Sequence, residues 1–250
     1  MTAPTTTEGE SPFFGELYLR STRPFLSDVV TGAEVTFLDQ KFNELPVEGP
    51  VLDVGCGHGR HLRHLQGKVR PYVGLDLDAG SLLEVCDAAP VTRGDFFRLP
   101  FRDGAFAGAY AWYNTLFTFD DVQHGPLFSE LARCLKPGGG LIFHNSYWAW
   151  AAAQPISSYD NLLPDGSRLV ENVTYDATRG RDDVRRELHL PDGRVMAATF
   201  FIRYYPIERL EVLLHDAGLD MVWTYGGLEG QDVHDGSPDV IVGAVKRGEP

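Results

Sequence analysis

The ten residues from Val51 to Arg60 constrain the fold more than any other part of the sequence. They read VLDVGCGHGR, an apolar run followed by glycines at positions 55, 57 and 59. Leucines at helical spacing, Leu62 and Leu65, begin directly afterwards. A strand that enters a helix through a glycine turn is typical of α/β folds, and bare glycine backbone lets a nucleotide-like ligand come close. The segment therefore predicts a βα unit with a ligand site at its turn, although a purely structural tight turn is the alternative.

The chain continues this alternation of strands and helices as far as residue 143. After a helix at 34–45, the apolar patterns predict strands at 51–54, 72–75, 91–92, 106–112 and 141–143. Between them they predict helices at 60–66, 81–87 and 126–135, the last stopped by the Pro and Gly residues of 136–140. Such alternation indicates a parallel sheet covered by helices on both faces.

The pattern changes after residue 147. Residues 148–163 show no clear period, whereas 172–178, 184–190 and 195–205 read as antiparallel strands. A helix at 206–217 and strands at 219–225 and 239–245 then resume the first pattern. We expect four parts: a disordered tail (1–12), an N-terminal cap (13–46), a ligand-binding domain (47–150 and 206–250) and an antiparallel insert over the site (151–205).

The amino-acid composition limits the kinds of molecule that the protein is expected to bind. Asp and Glu number 35 against 22 Lys and Arg, which gives a net charge of −13 and argues against nucleic acid or an anionic membrane surface. No apolar run reaches transmembrane length, and the first twelve residues lack the features of a signal peptide. The three cysteines form no CxxC pair, so we expect reduced thiols, no metal site and a cytoplasmic protein, either a monomer or a homodimer.

Two carboxylates follow successive predicted strands and should meet the ligand. Asp76 ends the second strand and can accept hydrogen bonds from both ribose hydroxyls, while Asp78 is the better helix cap. Asp95 follows the third strand and can accept from the amine of adenine, with Phe96 beside the ring. A dinucleotide-binding motif has its last glycine at the position that Arg60 occupies here. The turn therefore favours a ligand with an amino-acid tail over a dinucleotide, which disfavours a nicotinamide-dependent oxidoreductase.

These residues and motifs resemble class I S-adenosylmethionine-dependent methyltransferases, small-molecule branch. The matching segments are 51–59, 75–76, 94–95 and 131–139. The resemblance implies a Rossmann-like doubly wound α/β fold: seven strands in the order 3-2-1-4-5-7-6, strand 7 antiparallel, with the cap and the insert added. It implies S-adenosyl-L-methionine as cofactor, S-adenosyl-L-homocysteine as product, and no metal; the pair Asp120–Asp121 we interpret as a helix cap.

The resemblance also implies which residues touch the cofactor. These are Tyr18, Arg23, Asp53, Gly55, Cys56, Gly57, Gly59, Asp76, Leu77, Asp95, Phe96, Ala111 and Trp112. The Asn/Asp-Pro-Pro-Tyr motif of several nucleic-acid and protein methylases is absent after the fourth strand, where Trp112-Tyr113-Asn114-Thr115 stands. A small-molecule acceptor is therefore expected.

Aromatic residues dominate the segments expected around that acceptor. The predicted substrate-binding residues are Phe14, Tyr113, Asn114, His144, Tyr147, Trp148 and Tyr204. His144 is the first candidate for a proton acceptor and Tyr18 the second catalytic candidate, with a structural core histidine as the alternative. The sequence thus predicts methyl transfer to a nitrogen of a planar heteroaromatic or an amine in specialised metabolism. An O-methyltransferase of a small aromatic and a non-catalytic cofactor-binding module remain open.

Overall fold

The main sheet takes its strands from both halves of the chain. The computed structural model describes residues 13–248, so the tail predicted at 1–12 and the last two residues lie outside it. In this part the strands, in chain order, are β1 Val51–Val54, β2 Tyr72–Asp76, β3 Val91–Arg93, β4 Phe106–Ala111, β5 Leu135–Ser146, β6 Ile156–Leu162, β7 Arg168–Asp176, β8 Arg181–His189, β9 Val195–Arg203, β10 Leu219–Tyr225 and β11 Asp239–Lys246. The α-helices are α1 Glu16–Thr22, α2 Asp28–Asn43, α3 Arg60–Leu65, α4 Ala79–Leu83, α5 Asp121–Cys134, α6 Trp148–Ala152 and α7 Ile207–Asp216.

Seven of these strands form one sheet in the order β3-β2-β1-β4-β5-β11-β10. Strands β1 to β5 run parallel, and β11 lies antiparallel between β5 and β10. This is the predicted order, with the last strand of the chain reversed, so the fold prediction is confirmed. The carboxyl ends of β1, β2 and β4 consequently meet at one edge, where α/β sheets bind ligands.

Apolar side chains cover both faces of this sheet. One cluster joins α5 and α7 to one face, and the other joins α2, α3 and α4 to the opposite face. Strand β4 has a glycine at position 108 for a local reason: a Cβ there would lie 2.5 Å from the ring of Phe42 on α2. The cap helix α2 therefore packs very close to the centre of the sheet, beside the glycine turn.

The predicted insert forms a second sheet, which is antiparallel and ordered β6-β7-β8-β9. Apolar residues on one of its faces pack with Phe13 and Leu17 of the N-terminal segment. The insert and the cap thus share a core. The exact division of the chain at residues 46, 150 and 206 remains a prediction.

Two element predictions in the middle of the chain are wrong at their boundaries. Helix α5 begins at Asp121, five residues before Pro126, because Asp120 and Gln123 form a capping box there. Residues 136–140 are not a loop, since β5 starts at Leu135 directly after the helix. Gly139 permits this, because a Cβ there would lie 2.9 Å from the carbonyl oxygen of Ala107 on the neighbouring strand.

Strand β6 was not predicted, because it is an edge strand with almost every residue exposed and so shows no alternation of apolar and polar side chains. Its partner β7 begins at residue 168 rather than 172. Strand β9 ends at 203 rather than 205, and helix α4 spans 79–83 rather than 81–87. Between residues 13 and 248, no helix combines the length and apolar character needed to span a lipid bilayer.

Candidate active site

The three glycines of the turn between β1 and α3 have different tasks. All three have positive φ, of 74° at Gly55, 53° at Gly57 and 72° at Gly59. A Cβ added to Gly55 would lie 2.5 Å from Thr115, and one added to Gly59 would lie 2.2 Å from Val85. A Cβ added to Gly57 would have no atom within 4 Å. Gly55 and Gly59 therefore serve packing, whereas Gly57 presents bare backbone to open space.

Asp76, at the end of β2, holds this turn in place. Its Oδ2 accepts from the backbone N–H of Gly57 at 2.8 Å, and its Oδ1 accepts from that of Asp78 at 2.9 Å. Burial raises the pKa of the carboxyl, and these backbone donors oppose the rise. Each carboxylate oxygen retains a further acceptor position, so Asp76 can support the turn and bind hydroxyl groups together. As expected, Asp78 caps α4, accepting from Ser81 N at 2.7 Å.

A small cavity of about 50 Å³ lies against the turn. Its walls are the bare backbone of Gly57, the side chains of Tyr18 and Leu26 from the cap, and Trp112 and Tyr113 after β4. We call this space the donor cavity. It is the place where the cap, the glycine turn and the end of β4 meet.

A buried carboxylate from the cap ties these walls together. Glu34 on α2 accepts from the Nε1 of Trp112 at 3.0 Å and from the hydroxyl of Tyr113 at 2.8 Å. It also binds His61 Nε2 at 3.0 Å and forms an ion pair with Arg60. We refer to Glu34, Arg60, His61, Trp112 and Tyr113 as the Glu34 network, and all five side chains are buried or largely buried.

Charge and burial fix the protonation of this network. Burial opposes ionisation of Glu34, but the bonds from His61 and Arg60 outweigh it and bring its pKa to about 2. Burial lowers the pKa of His61 to about 4, so the ring is neutral at pH 7 and its Nε2–H donates to Glu34. The guanidinium of Arg60 also lies over the ring of Tyr113, 4.9 Å from its centroid. The network is thus a single anion held by one cation and three neutral donors.

Two further groups in the wall are held neutral or near-neutral. Burial raises the pKa of Asp53 to about 7, although the hydroxyl of Tyr110 partly opposes the rise. Burial also raises the pKa of the Cys56 thiol, with the nearby Asp53 and Asp76 adding to the effect. Cys56 is therefore a thiol at neutral pH and not a nucleophile.

The structure gathers about half of the predicted cofactor residues at the donor cavity. Tyr18, Asp53, Gly55, Cys56, Gly57 and Trp112 line it. Asp76 does not line the cavity itself, but its carboxylate accepts a hydrogen bond from Gly57, which does. Gly59 instead packs against Val85, and Ala111 is buried in the sheet.

The remaining predicted cofactor residues lie away from this cavity. Asp95 accepts from the backbone of Phe97 at 2.9 Å, and the ring of Phe96 packs edge-on against Phe119. Leu77 is 59% exposed, and Arg23 forms a surface ion pair with Glu84 at 3.0 Å. Asp95 and Phe96 follow β3, two strands from β1, so a role for them requires a ligand that reaches along the sheet edge.

The residues after β4 have an unusual backbone. Tyr113 and Asn114 are consecutive non-glycine residues with positive φ, 52° and 59°. Asn114 is held by its backbone N–H, which donates to His144 O at 3.2 Å, and by its Oδ1, which accepts from Ser146 N at 2.8 Å. Left-handed backbone in a bulky residue such as Tyr113 costs free energy and persists where surrounding bonds enforce it. Here those bonds tie the segment after β4 to the end of β5.

His144 does not line the donor cavity. Its ring is buried and stacks on Trp112, with 5.2 Å between centroids, and its Nε2 lies 3.2 Å from Asp239 Oδ1. His144 thus lies behind the cavity wall. Its catalytic role, like that of Tyr18, stays a prediction, and the geometry favours a supporting place for the histidine.

The other predicted substrate-binding residues lie in different parts of the structure. Phe14 is 41% exposed and packs on Phe13. Tyr147 and Trp148 pack into the core near the main sheet. Tyr204, however, lines a second cavity of about 170 Å³ beneath the antiparallel sheet. We call it the sheet cavity; its wall includes Ser146 at the end of β5.

Sequence reasoning missed Glu34, Arg60 and His61. Glu34 carried a usable signal, because it precedes Leu38 and Phe42 at four-residue intervals and so falls on the apolar face of α2. A charge at such a position predicts a buried partner. Within residues 13–248, no group of three or more His, Cys, Asp or Glu side chains is arranged to hold a metal ion.

Residues 51–139 match the family model described as "Methyltransferase domain". Together with the strand order and the glycine turn, this match shows a methyltransferase domain on the fold of S-adenosylmethionine-dependent methyltransferases. A sequence relative is the "dTDP-3-amino-3,4,6-trideoxy-alpha-D-glucopyranose N,N-dimethyltransferase" of Streptomyces venezuelae, which is 27% identical over 188 residues, 73% of this chain and 76% of the relative.

Solved structures share the fold over nearly the whole chain. An S-adenosylmethionine-dependent methyltransferase from Clostridium acetobutylicum has a TM-score of 0.78 at 16% identity, covering 94% of this chain and 98% of its own. The sugar N-methyltransferase KedS8 from Streptoalloteichus has a TM-score of 0.70 at 20% identity, covering 99% of each chain. At these identities the likeness establishes the fold.

Two observations suit the donor cavity to the amino-acid end of this class's cofactor. Gly57 offers backbone with no side chain in the way, as an approaching ligand requires. The Nη2 of Arg60 is buried and has no hydrogen-bond partner among the described residues, which suits the carboxylate of an amino-acid tail.

Proposed function

We propose that this enzyme transfers the methyl group of S-adenosylmethionine to an amine nitrogen of a small molecule of specialised metabolism. The carrying observation is the sheet cavity, which combines aromatic rings with the carboxylates of Glu171 and Asp182. An amine nitrogen attacks with its own lone pair, whereas a phenol must first lose a proton to a base. These carboxylates attract the positive charge of an amine, whereas a neutral phenol gains no such attraction. This wall therefore suits an amine better than a phenol.

The bound cofactor supplies an electrophilic methyl group on a positively charged sulfur. The chain contributes position and exclusion of water. Asp76 holds the turn and offers acceptors for ribose hydroxyls, and Gly57 leaves room for the ligand backbone. Trp112 and Tyr113, fixed by the Glu34 network, form a rigid aromatic wall on the acceptor side. Alignment of this kind supplies roughly 7–11 kcal/mol in well-oriented reactions.

Two of the similar proteins support nitrogen as the methylated atom. The Streptomyces venezuelae relative is an N,N-dimethyltransferase of an amino sugar, and KedS8 is a sugar N-methyltransferase. We therefore propose an amino sugar or a ring amine of similar size as the acceptor. We further propose that the enzyme works in the cytoplasm as a monomer or homodimer, without nucleic acid, membrane or metal, in keeping with its free cysteines and acidic charge.

Donor binding is tested first, by calorimetric titration with S-adenosylhomocysteine. Asp76→Asn should weaken binding at least tenfold, because it removes a charged acceptor from the ribose site. Asp87→Asn, the same change at an exposed position, should leave the affinity unchanged. Equal affinities for wild type and Asp76→Asn would remove the ribose role of Asp76.

Acceptor chemistry is tested with purified enzyme, S-adenosylmethionine and matched compounds. The panel contains the dTDP-amino sugar of the relative, small ring amines, and phenols of similar shape, with mass spectrometry as the readout. Methylated amines and unmodified phenols are expected. Transfer to phenols alone would replace the proposal with O-methylation. Donor binding without any transfer would favour the non-catalytic binding module.

A further inference from the structure

The sheet cavity has an ordered arrangement of charge. One wall is the inner face of the antiparallel sheet, where Glu171 lies on β7 and Asp182 and Arg186 lie on β8. Tyr159 and Tyr204 add phenol groups, and Trp150 of α6 faces them across the space. Roughly 150 Å³ is enough to hold one benzene ring. At about 170 Å³ the sheet cavity therefore accommodates a single six-membered ring.

The positive charge on this wall is already engaged. Arg186 donates from Nε to Glu171 at 2.5 Å, and from Nη1 to Ser21 at 3.1 Å and Thr22 at 3.0 Å. Its guanidinium also lies 5.5 Å from the ring centroid of Phe200. Arg186 thus neutralises Glu171 and ties the cap to the sheet, which leaves the cavity with one further carboxylate.

That carboxylate is Asp182. Its Oδ2 accepts a hydrogen bond from the hydroxyl of Tyr204 at 2.8 Å, which is a neutral donor. The charged groups that act most strongly on it are Asp183 and Glu171, both acidic. A half-buried anion with a neutral donor and two acidic neighbours attracts a cation more strongly than an exposed one does.

The two cavities are close neighbours, with one residue between their lining residues on each side. Ser146 in the wall of the sheet cavity donates its backbone N–H to Asn114, which follows Tyr113 in the wall of the donor cavity. On the other side, Phe200 stacks on Phe13 with 3.6 Å between centroids, and Phe13 lies edge-on to Tyr18. Asn114 on one side and Phe13 on the other therefore lie between a ring in the sheet cavity and the donor cavity, and methyl transfer requires that one of them moves aside.

We propose that the sheet cavity binds the methyl acceptor as an organic ammonium ion and that Asp182 pairs with its charge. Aromatic rings at Trp150, Tyr159 and Tyr204 add cation–π attraction to that pair. This inference rests on the proposed function, because it names the form in which an amine acceptor is recognised. It concerns binding; before methyl transfer the ammonium nitrogen must give up a proton, to Asp182 or to water, which frees the lone pair that attacks.

Binding is measured by ligand-observed NMR titration of protein saturated with S-adenosylhomocysteine. The probes are benzylamine, which is an ammonium ion at pH 7, and benzyl alcohol, its neutral counterpart. Wild type should bind the amine at least tenfold more tightly, as expected for a hydrogen bond to a charged group. In Asp182→Asn this preference should disappear, and in Asp182→Glu it should persist.

The control is Asp192→Asn, the same change in the turn between β8 and β9. Asp192 is exposed and pairs with Arg194 at 2.8 Å, and its replacement should leave the preference intact. Equal binding of the two probes to wild type, or a preference that survives in Asp182→Asn, overturns the inference. Unchanged S-adenosylhomocysteine affinity in every variant shows that the fold is retained.

The outcome is independent of the reaction assay. If only phenols are methylated, the proposed function fails whatever the probes do. If amines are methylated but Asp182→Asn keeps its preference for benzylamine, the ammonium site fails and the proposed function stands.

Discussion

Replacement of Glu34 by Gln should destabilise the protein strongly, because four donors converge on this one buried carboxylate. Its pKa falls from 4.5 to about 2 in the folded chain. At ~1.4 kcal/mol for each pKa unit, that difference corresponds to roughly 3 kcal/mol. Removing one partner from a buried ion pair costs about 3–5 kcal/mol in other proteins. Glu34→Gln should therefore lose about 3 kcal/mol of unfolding free energy at pH 7.

The pH dependence of this loss follows from the direction of the pKa change. Because the folded pKa of Glu34 lies below its ordinary value, the stabilisation is complete above pH 4.5 and disappears as the pH falls through about 2. At pH 3 the linkage relation leaves roughly 1.4 kcal/mol. The difference between wild type and Glu34→Gln should shrink accordingly.

Urea unfolding at pH 7 and pH 3, followed by circular dichroism, measures both values. Glu44→Gln is the matched control, since Glu44 follows the same helix but forms an exposed pair with Lys41, and it should change stability by less than about 1 kcal/mol. A loss below ~1 kcal/mol for Glu34→Gln, or one that does not depend on pH, would show that the network does not stabilise the fold as argued.

Three further changes test other parts of the structure. Gly57→Ala should cost only about 1–2 kcal/mol of stability for its left-handed backbone, but it should weaken S-adenosylhomocysteine binding at least tenfold. Gly59→Ala should unfold far more easily, since its Cβ would lie 2.2 Å from Val85. Calorimetry measures the binding and thermal melting the stability, and the reverse order of effects would contradict the assignment. Burial raises the pKa of Asp53 from 3.8 to about 7, so folding favours the protonated form and stability falls as the pH rises through this range. Between pH 5 and 8, wild type should lose roughly 2.5 kcal/mol of unfolding free energy that Asp53→Asn does not lose. The same pH dependence of urea unfolding in both proteins would refute this prediction. Arg186→Met should cost about 3 kcal/mol by leaving a buried carboxylate unpaired, and an unchanged urea midpoint would show that the cap does not depend on this residue.

Much of the fold could be predicted because its signals are local. The residues at 51–65 predict a strand, a glycine turn and a helix from their own pattern. Apolar strands such as β4 predict a sheet covered on both faces. Asp76 was also predictable, since the residue that ends β2 must reach the same edge as the turn after β1. The resemblance to a known class supplied the reversed final strand.

The rest depends on contacts between distant segments. Strand β6 is recognisable only through its pairing with β7, because its own residues are exposed. The Glu34 network joins side chains 26 to 79 residues apart, and no spacing rule connects them. The ion pair of Arg203 with Asp121, which fixes the end of β9 to α5, spans 82 residues for the same reason. Charges at otherwise apolar positions were the signal that was overlooked.

The Glu34 network has a consequence for how such an enzyme can diverge. Three segments of the chain share one carboxylate, so a change at Glu34 leaves Arg60 without its counter-ion and Tyr113 without its acceptor. Mutations at contacting residues are strongly non-additive. We expect these positions to be inherited as one unit, kept together or replaced together, while the wall of the sheet cavity, built from a separate stretch of chain, varies freely with the acceptor. Epistasis of this kind would hold the donor site constant while acceptor specificity evolves.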